Sequence, residues 1–261
     1  MEYQSDSEYK DISKLHCSIQ NQVALIRIKG LNKFNLIDEL MAAEMRELLS
    51  NLDDNVNVRV MILSSVGEHF STGSVLRELS EYHRFNSHRI ASDIASVNKV
   101  TLASLRGNVL DQGLELALAC DIRIAAEGAS FGFTHLKSGS IPWDGGTQRL
   151  PRIIGPSRAL YMLLTGKIIG SKQALEYGLI SEITALSGDE KVALEFGAII
   201  AKHGPIAVQY LKEAVHASAD LTINEGMRLE LDLATLLHST NDRAEGLRAF
   251  AEKRTPEFRG D

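Results

Sequence analysis

Residues 103–146, ASLRGNVLDQGLELALACDIRIAAEGASFGFTHLKSGSIPWDGG, carry the alternation on which the rest of the chain is organised. An apolar run rich in strand formers over 100–105 is closed by Arg106-Gly107-Asn108, which predicts a strand and then a turn. Leu110, Leu114, Ala117 and Leu118 then recur at helical spacing, so a helix begins near Asp111. Two further strands and a loop complete the stretch, which reads as strand, turn, helix, strand, strand, loop. The first helical turn would present the amides of Gln112 and Gly113 to a developing negative charge, and Gly113 permits a close backbone approach. Glu115 follows one turn later among Leu114, Leu116, Ala117 and Leu118. Such a carboxylate is either on a solvent face, the common case for a helical Glu, or held in a pocket at the cost of desolvation.

Working outward, residues 16–20 and 23–29 read as a hairpin turning at Asn21-Gln22. Asp38 is an N-cap for an amphipathic helix whose apolar face is Leu40, Met45, Leu48, Leu49 and Leu52. Residues 59–64 (RVMILS) have the pattern of a buried strand, followed by the glycine-punctuated loop VGEHFSTGS. Residues 76–97 read as one or two polar helices carrying His83 and His88, a solvated face rather than a metal site. After the central stretch come helices at 145–154, 157–165 (closed by Gly166) and 171–177 (closed by Gly178), and a strand at 179–184. From 187 onward only helical patterns remain: 189–203, 205–217, 222–237 and 242–253. Leu221, Met227, Leu229, Leu231, Leu233, Leu236 and Leu237 are too many for one narrow stripe, which predicts burial on two sides and an oligomer interface.

The 261 residues suffice for a large single core, and the net charge of −6 with scattered Lys and Arg argues against nucleic-acid binding. Cys17 and Cys120 have no paired spacing, so no metal site and no disulfide framework is expected, and a reducing, cytoplasmic setting fits. The polar amino terminus reads as neither signal nor transit peptide, and no apolar run reaches membrane-spanning length.

Four segments in order, LELALACDIRIAAEGASFGF, IPWDGGTQRLPRIIG, LLTGKIIGSKQALEYGLISEI and NDRAEGLRAFAEKRTPEF, resemble the enoyl-CoA hydratase/isomerase superfamily, the crotonases. The similarity runs from about Val23 to the end. It implies an α/β fold, a crotonase-like spiral of ββα units (16–186) after a flexible amino-terminal segment (1–15). An all-helical carboxy-terminal trimerisation region (187–261) follows, commonly assembled as homotrimers or hexamers. It also implies an acyl-CoA thioester substrate, with coenzyme A part of that substrate and no separate cofactor. The shared chemistry is an enolate held by two backbone amides, which by position are those of Ser74 and Gln112.

Glu115 aligns with one of the two hydratase glutamates, whereas His135 stands at the second position, where it either serves in proton transfer or fills the pocket as a neutral polar residue. Asp144 occupies a turn where most hydratases have small residues and where some relatives, dienoyl-CoA isomerases among them, place an acting carboxylate. Two roles stay open for it: partner of Glu115 in acid/base work, or N-cap of the helix starting at Gly145. Asp111 and Gln112 replace small residues and make the pocket more polar. Trp143 is either a core aromatic or an aromatic wall suited to a flat or cyclic acyl group, and Arg77, if not simply a surface charge, stands where a basic CoA-binding residue is often found. His238 replaces an aromatic residue that packs on CoA in many members. The expected activity is hydration of an enoyl- or dienoyl-CoA, the alternatives being double-bond isomerisation, thioester or carbon–carbon hydrolysis, and non-catalytic acyl-CoA binding.

Overall fold

The computed structural model describes residues 14–75 and 86–261. The predicted hairpin is present as β1 (Leu15–Gln20) and β2 (Val23–Ile28), turning through Asn21 and Gln22, both at positive φ. Strands β3 (Val60–Ser65), β4 (Val100–Leu105), β6 (Ile122–Ala126) and β9 (Glu182–Thr184) extend β2 in parallel, giving the order β1-β2-β3-β4-β6-β9. A second sheet, which sequence patterning does not resolve, orders β5 (Asn108–Leu110), β7 (Ser130–Gly132) and β8 (Ile169–Gly170). The chain thus spirals, laying β4 in the first sheet and β5 in the second, then β6 and β7 in the same way. Isolated bridges Ser71↔Val109 and Ile37↔Ser74 carry the second sheet's edge into the 66–75 loop.

The central strands are covered on both faces, which is why they read as continuous apolar runs. Ala24, Ile26, Ile28, Met61, Leu63, Ala103 and Leu105 face one layer, which contains α1 (Glu39–Asp54), α2 (Ala91–Ser96) and α3 (Gln112–Ala119). Val23, Leu25, Val60, Ile62, Leu102 and Ile124 face the other, packing on α7 (Asp189–Ile200). The first core also takes in Leu150 and Ile154 of α4 (Gly146–Ile154), Ala159 and Met162 of α5 (Pro156–Thr165) and Ala174 of α6 (Ser171–Tyr177). Each large apolar side chain so enclosed contributes about 1.5–3 kcal/mol.

Asp38 caps α1 as expected, accepting from the Met41 amide at 2.8 Å. The helix buries Met41, Ala42, Met45, Leu49 and Leu52, but Leu40 lies on the exposed side. His88 is a second correction: it is buried at 3% exposure rather than on a solvated face. His83 lies outside the described residues. The carboxy-terminal region is built of helices, α8 (Pro205–Ala217), α9 (Ile223–Leu237, with a Thr222–Glu225 capping box) and α10 (Asn241–Glu252), followed by an irregular tail over 253–261. Among the described residues no helix is long and apolar enough to cross a membrane, and both cysteines are free.

Candidate active site

The 66–75 loop and the first turn of α3 are held against each other by backbone and buried polar groups. Asn35 accepts from the Gly30 amide and donates to the carbonyls of Val66 and His69. Ser71 donates to the Asn35 carbonyl, and the Gly73 carbonyl accepts from the Ile37 amide. Gly113 explains the close approach: a Cβ there would lie 2.4 Å from the Ser71 carbonyl oxygen. Its missing side chain therefore makes room for this loop. On the other side, a Cβ on Gly73 would sit 3.6 Å from the Gln112 nitrogen. The two amide-bearing segments, around Ser74 and Gln112, are thus brought together. The Ser74 hydroxyl is itself committed, donating to the Ile37 carbonyl at 3.2 Å.

Asp111 sits at the N-cap of α3 but does not cap it. Its backbone has φ 50° and ψ −124°, a conformation that favours glycine and costs a non-glycine residue about 1–3 kcal/mol. The carboxylate turns away to accept from the amide and hydroxyl of Thr134. Among the described residues no acceptor meets the Gln112 amide, which leaves it available to a ligand.

Glu115 is in a pocket, not on a solvent face: it is fully buried. Its Oε1 accepts from the amides of Asp144 and Gly146, both at 2.8 Å, so Glu115 supplies the anionic cap to α4. Oε2 is buried with no hydrogen-bond partner among the described residues. Burial pushes the carboxyl up to about 7; the Gly146 amide opposes this and the neighbouring Asp144 charge adds to it.

Asp144 is also fully buried and does not cap the helix that follows it. Its Oδ2 accepts from the Ile90 and Ala91 amides at 3.0 and 3.2 Å, at the head of α2, and from Gln112 Nε2 at 3.1 Å. The local cap expected at Gly145 is therefore replaced by a cap on a distant helix. Arg89 approaches its other oxygen only to 3.7 Å, and burial still holds the Asp144 carboxyl above its ordinary range. Gln112 spends its side chain on this bracket, donating to the His88 carbonyl as well.

His135 opens a short 3₁₀ turn after β7, with Nδ1 3.1 Å from Asp111 Oδ1. The pair is within ion-pair reach without the alignment of a full hydrogen bond. Burial would raise the Asp111 carboxyl, but the His135 and Thr134 contacts outweigh it and hold it below its ordinary value. Seven buried side-chain polar atoms lack a partner among the described residues, and four of them belong to Glu115, Asp144, Gln112 and His135. Native proteins rarely leave such groups unpaired, and a cluster of them marks where a ligand's polar atoms go.

Comparison with known proteins places the chain in a family. The enoyl-CoA hydratase/isomerase family description matches residues 18–261. The chain belongs to this family. It resembles the 2,3-dehydroadipyl-CoA hydratase of Escherichia coli (strain K12), with 33% identity over 95% of this chain and 100% of the relative. It also resembles the (E)-benzylidenesuccinyl-CoA hydratase of Thauera aromatica, with 34% identity over 93% and 97%. A solved enoyl-CoA hydratase from Bacillus anthracis superposes with a TM-score of 0.92, at 34% identity, covering 95% of this chain and 100% of that one. This is accordingly a crotonase-fold, enoyl-CoA hydratase-like enzyme.

Of the remaining expected site residues, Trp143 is half-buried beside Asp144. His238 is exposed at the carboxyl end of α9, and no contact joins it to the Glu115 cluster among the described residues. Arg77 lies outside the described residues. Sequence reasoning did not find the Asp111–His135 pairing, since 24 positions separate the two; the one local sign was an aspartate where the turn geometry favours glycine.

Proposed function

We propose that this enzyme hydrates an α,β-unsaturated acyl-CoA, or removes water in reverse, through an enolate held by the amides of Ser74 and Gln112. The observation that carries the reading is the second oxygen of Glu115, buried and unpartnered in a carboxyl poised at about pH 7. A group poised there is populated as base and as acid at neutral pH. In the forward direction Glu115 takes a proton from water as its oxygen bonds to the β-carbon, and the π electrons move to the thioester oxygen. The α-carbon then takes a proton, which His135 delivers; both groups return to their starting states by exchange with solvent. One well-placed oxyanion donor contributes about 3–4 kcal/mol to such a step. No resident cofactor is needed, because coenzyme A arrives on the substrate.

That two of the named relatives are hydratases supports hydration over isomerisation. Trp143 beside the carboxylates favours a flat or cyclic acyl group. Leu211, Val215, Met227, Leu231, Leu236, Leu247 and Phe250 are exposed on α8, α9 and α10, which supports assembly as a trimer or hexamer. Sedimentation checks this, a stable monomer counting against it. Two unpaired thiols fit a cytoplasmic setting.

The test is mass spectrometry of linear, cyclic and aromatic enoyl-CoAs incubated with enzyme in ¹⁸O-labelled water. A labelled adduct on an intact thioester is expected. Unchanged mass with shifted retention would mean isomerisation, free acid would mean hydrolysis, and no change across the panel would leave a binding protein.

A further inference from the structure

We propose that Asp111 is the positioning residue for His135, holding the imidazole with Nδ1 inward and protonated so that Nε2 faces the acyl site. The inference rests on the reading of His135 as second proton carrier. Three observations carry it. The Asp111 carboxylate is fixed at both oxygens by the Thr134 amide and hydroxyl, so it cannot swing away when the ring moves. Nδ1 lies 3.1 Å from it, and of the two ring nitrogens only Nδ1 is among the buried atoms without a hydrogen-bond partner. Asp111 also keeps a glycine-favouring backbone conformation and leaves its own helix uncapped, two local costs that the capping role usual for an Asp there would avoid.

The arrangement puts the dyad beside the oxyanion segment, since a Cβ on Gly73 would lie 3.1 Å from Asp111 Cβ. The His135 charge also reaches Glu115, where it acts to lower the carboxyl pKa. A carboxylate accepting from Nδ1–H stabilises the imidazolium, whose Nε2 proton goes to the α-carbon, and then the Nδ1–H tautomer left behind, whose bare Nε2 is reloaded from solvent; an oblique contact in a ligand-free site tightens when substrate binds. Asp111 touches no reacting atom; it acts through the ring.

Asp111→Gly removes the carboxylate and suits the backbone conformation, so the fold is expected to persist; Asp111→Asn keeps the shape and removes the charge. With crotonyl-CoA, or whichever panel thioester turns over, kcat is expected to fall about 10- to 100-fold in both variants while KM stays within about threefold. Adding Asp111→Gly to His135→Gln is expected to cost no more than about twofold beyond His135→Gln alone. In ¹⁵N-histidine NMR, the His135 signal, assigned by its loss in His135→Gln, is expected to report the Nδ1–H tautomer in the wild type and to lose that preference in Asp111→Gly. If His135→Gln is fully active, the reading of His135 fails and this inference with it. If His135→Gln is impaired while Asp111→Gly matches wild type in kcat and in tautomer, or if the two losses simply multiply, only the positioning role of Asp111 is overturned.

Discussion

The two faces of the main sheet each carry a pair of acidic residues and treat them in opposite ways. Behind the sheet, Asp189 and Glu190 open α7; Asp189 accepts from Ser104 Oγ at 2.8 Å and Arg106 Nε at 3.0 Å, and Glu190 is gripped by Arg27 through both oxygens. The Arg27 hydrogen bond, aided by Ser64 and Arg106, outweighs burial and holds the Glu190 carboxyl below its ordinary range. In front, Glu115 and Asp144 are both fully buried, yet among the described residues their one ion-pair partner is the half-exposed Arg89, 3.7 Å from Asp144. Burial therefore wins, and both carboxyls are pushed upward. Acidic residues matched by arginine support the fold, whereas the front pair, without a close cation, bears the cost of burial, and Glu115 is left with a carboxyl at about 7.

The sharpest way to break this contrast is Glu115→Gln. Turnover is expected to fall at least about 1000-fold, with affinity for a substrate-like CoA thioester changed only a few-fold. The stability prediction has the opposite sign. Below pH 4.5 Glu115 is protonated in folded and unfolded chains alike and carries no pH-linked cost. As pH rises from 4.5 to about 7 the unfolded chain ionises first, so the folded state loses up to about 3 kcal/mol, reached in full above pH 7. Glu115→Gln is thus expected to melt higher than wild type at pH 8 and to approach it at pH 4.5. A variant that is inactive and also less stable at pH 8 would show the carboxylate to be structural.

Asp144→Asn gives the next effect in size. Its Oδ2 is occupied by three donors and its charge raises the Glu115 pKa. The substitution is expected to move the acidic inflection of kcat/KM downward and to slow turnover about tenfold. A loss beyond about 100-fold with no shift in the inflection would make Asp144 a proton carrier in its own right.

The same contrast separates what the chain's pattern discloses from what it hides. Asp38, Thr222 and the Asn21-Gln22 turn act within a few residues of themselves, and the structure finds each where local chemistry puts it. Strands β5 and β8, of three and two residues, are too short to show a period and exist because distant strands pair with them. Leu40 was assigned to the buried face by its apolar character alone, whereas its place on α1 turns it outward. At the site, the family motif indicated Glu115, Gln112 and Ser74. Which helix Asp144 caps, and which residue holds His135, depend on groups 54 and 24 positions away. Local periodicity carries no trace of such choices.

The smallest expected effect tests the rear pair. Glu190→Gln leaves Arg27 with a neutral partner at a site about one-fifth exposed, so solvent screening limits the loss to about 1 kcal/mol at pH 7. Because Glu190 is held below its ordinary pKa, its contribution is present above the usual carboxylate range and disappears as pH falls through the depressed value. Glu190→Gln is therefore expected to melt below wild type at pH 7 and to converge with it in acid, a difference of opposite sign to that of Glu115→Gln, with turnover within about twofold of wild type. A large loss of turnover would mean that the rear arginines reach the reaction through the sheet, and the division between a charge-matched face and a working face would not hold.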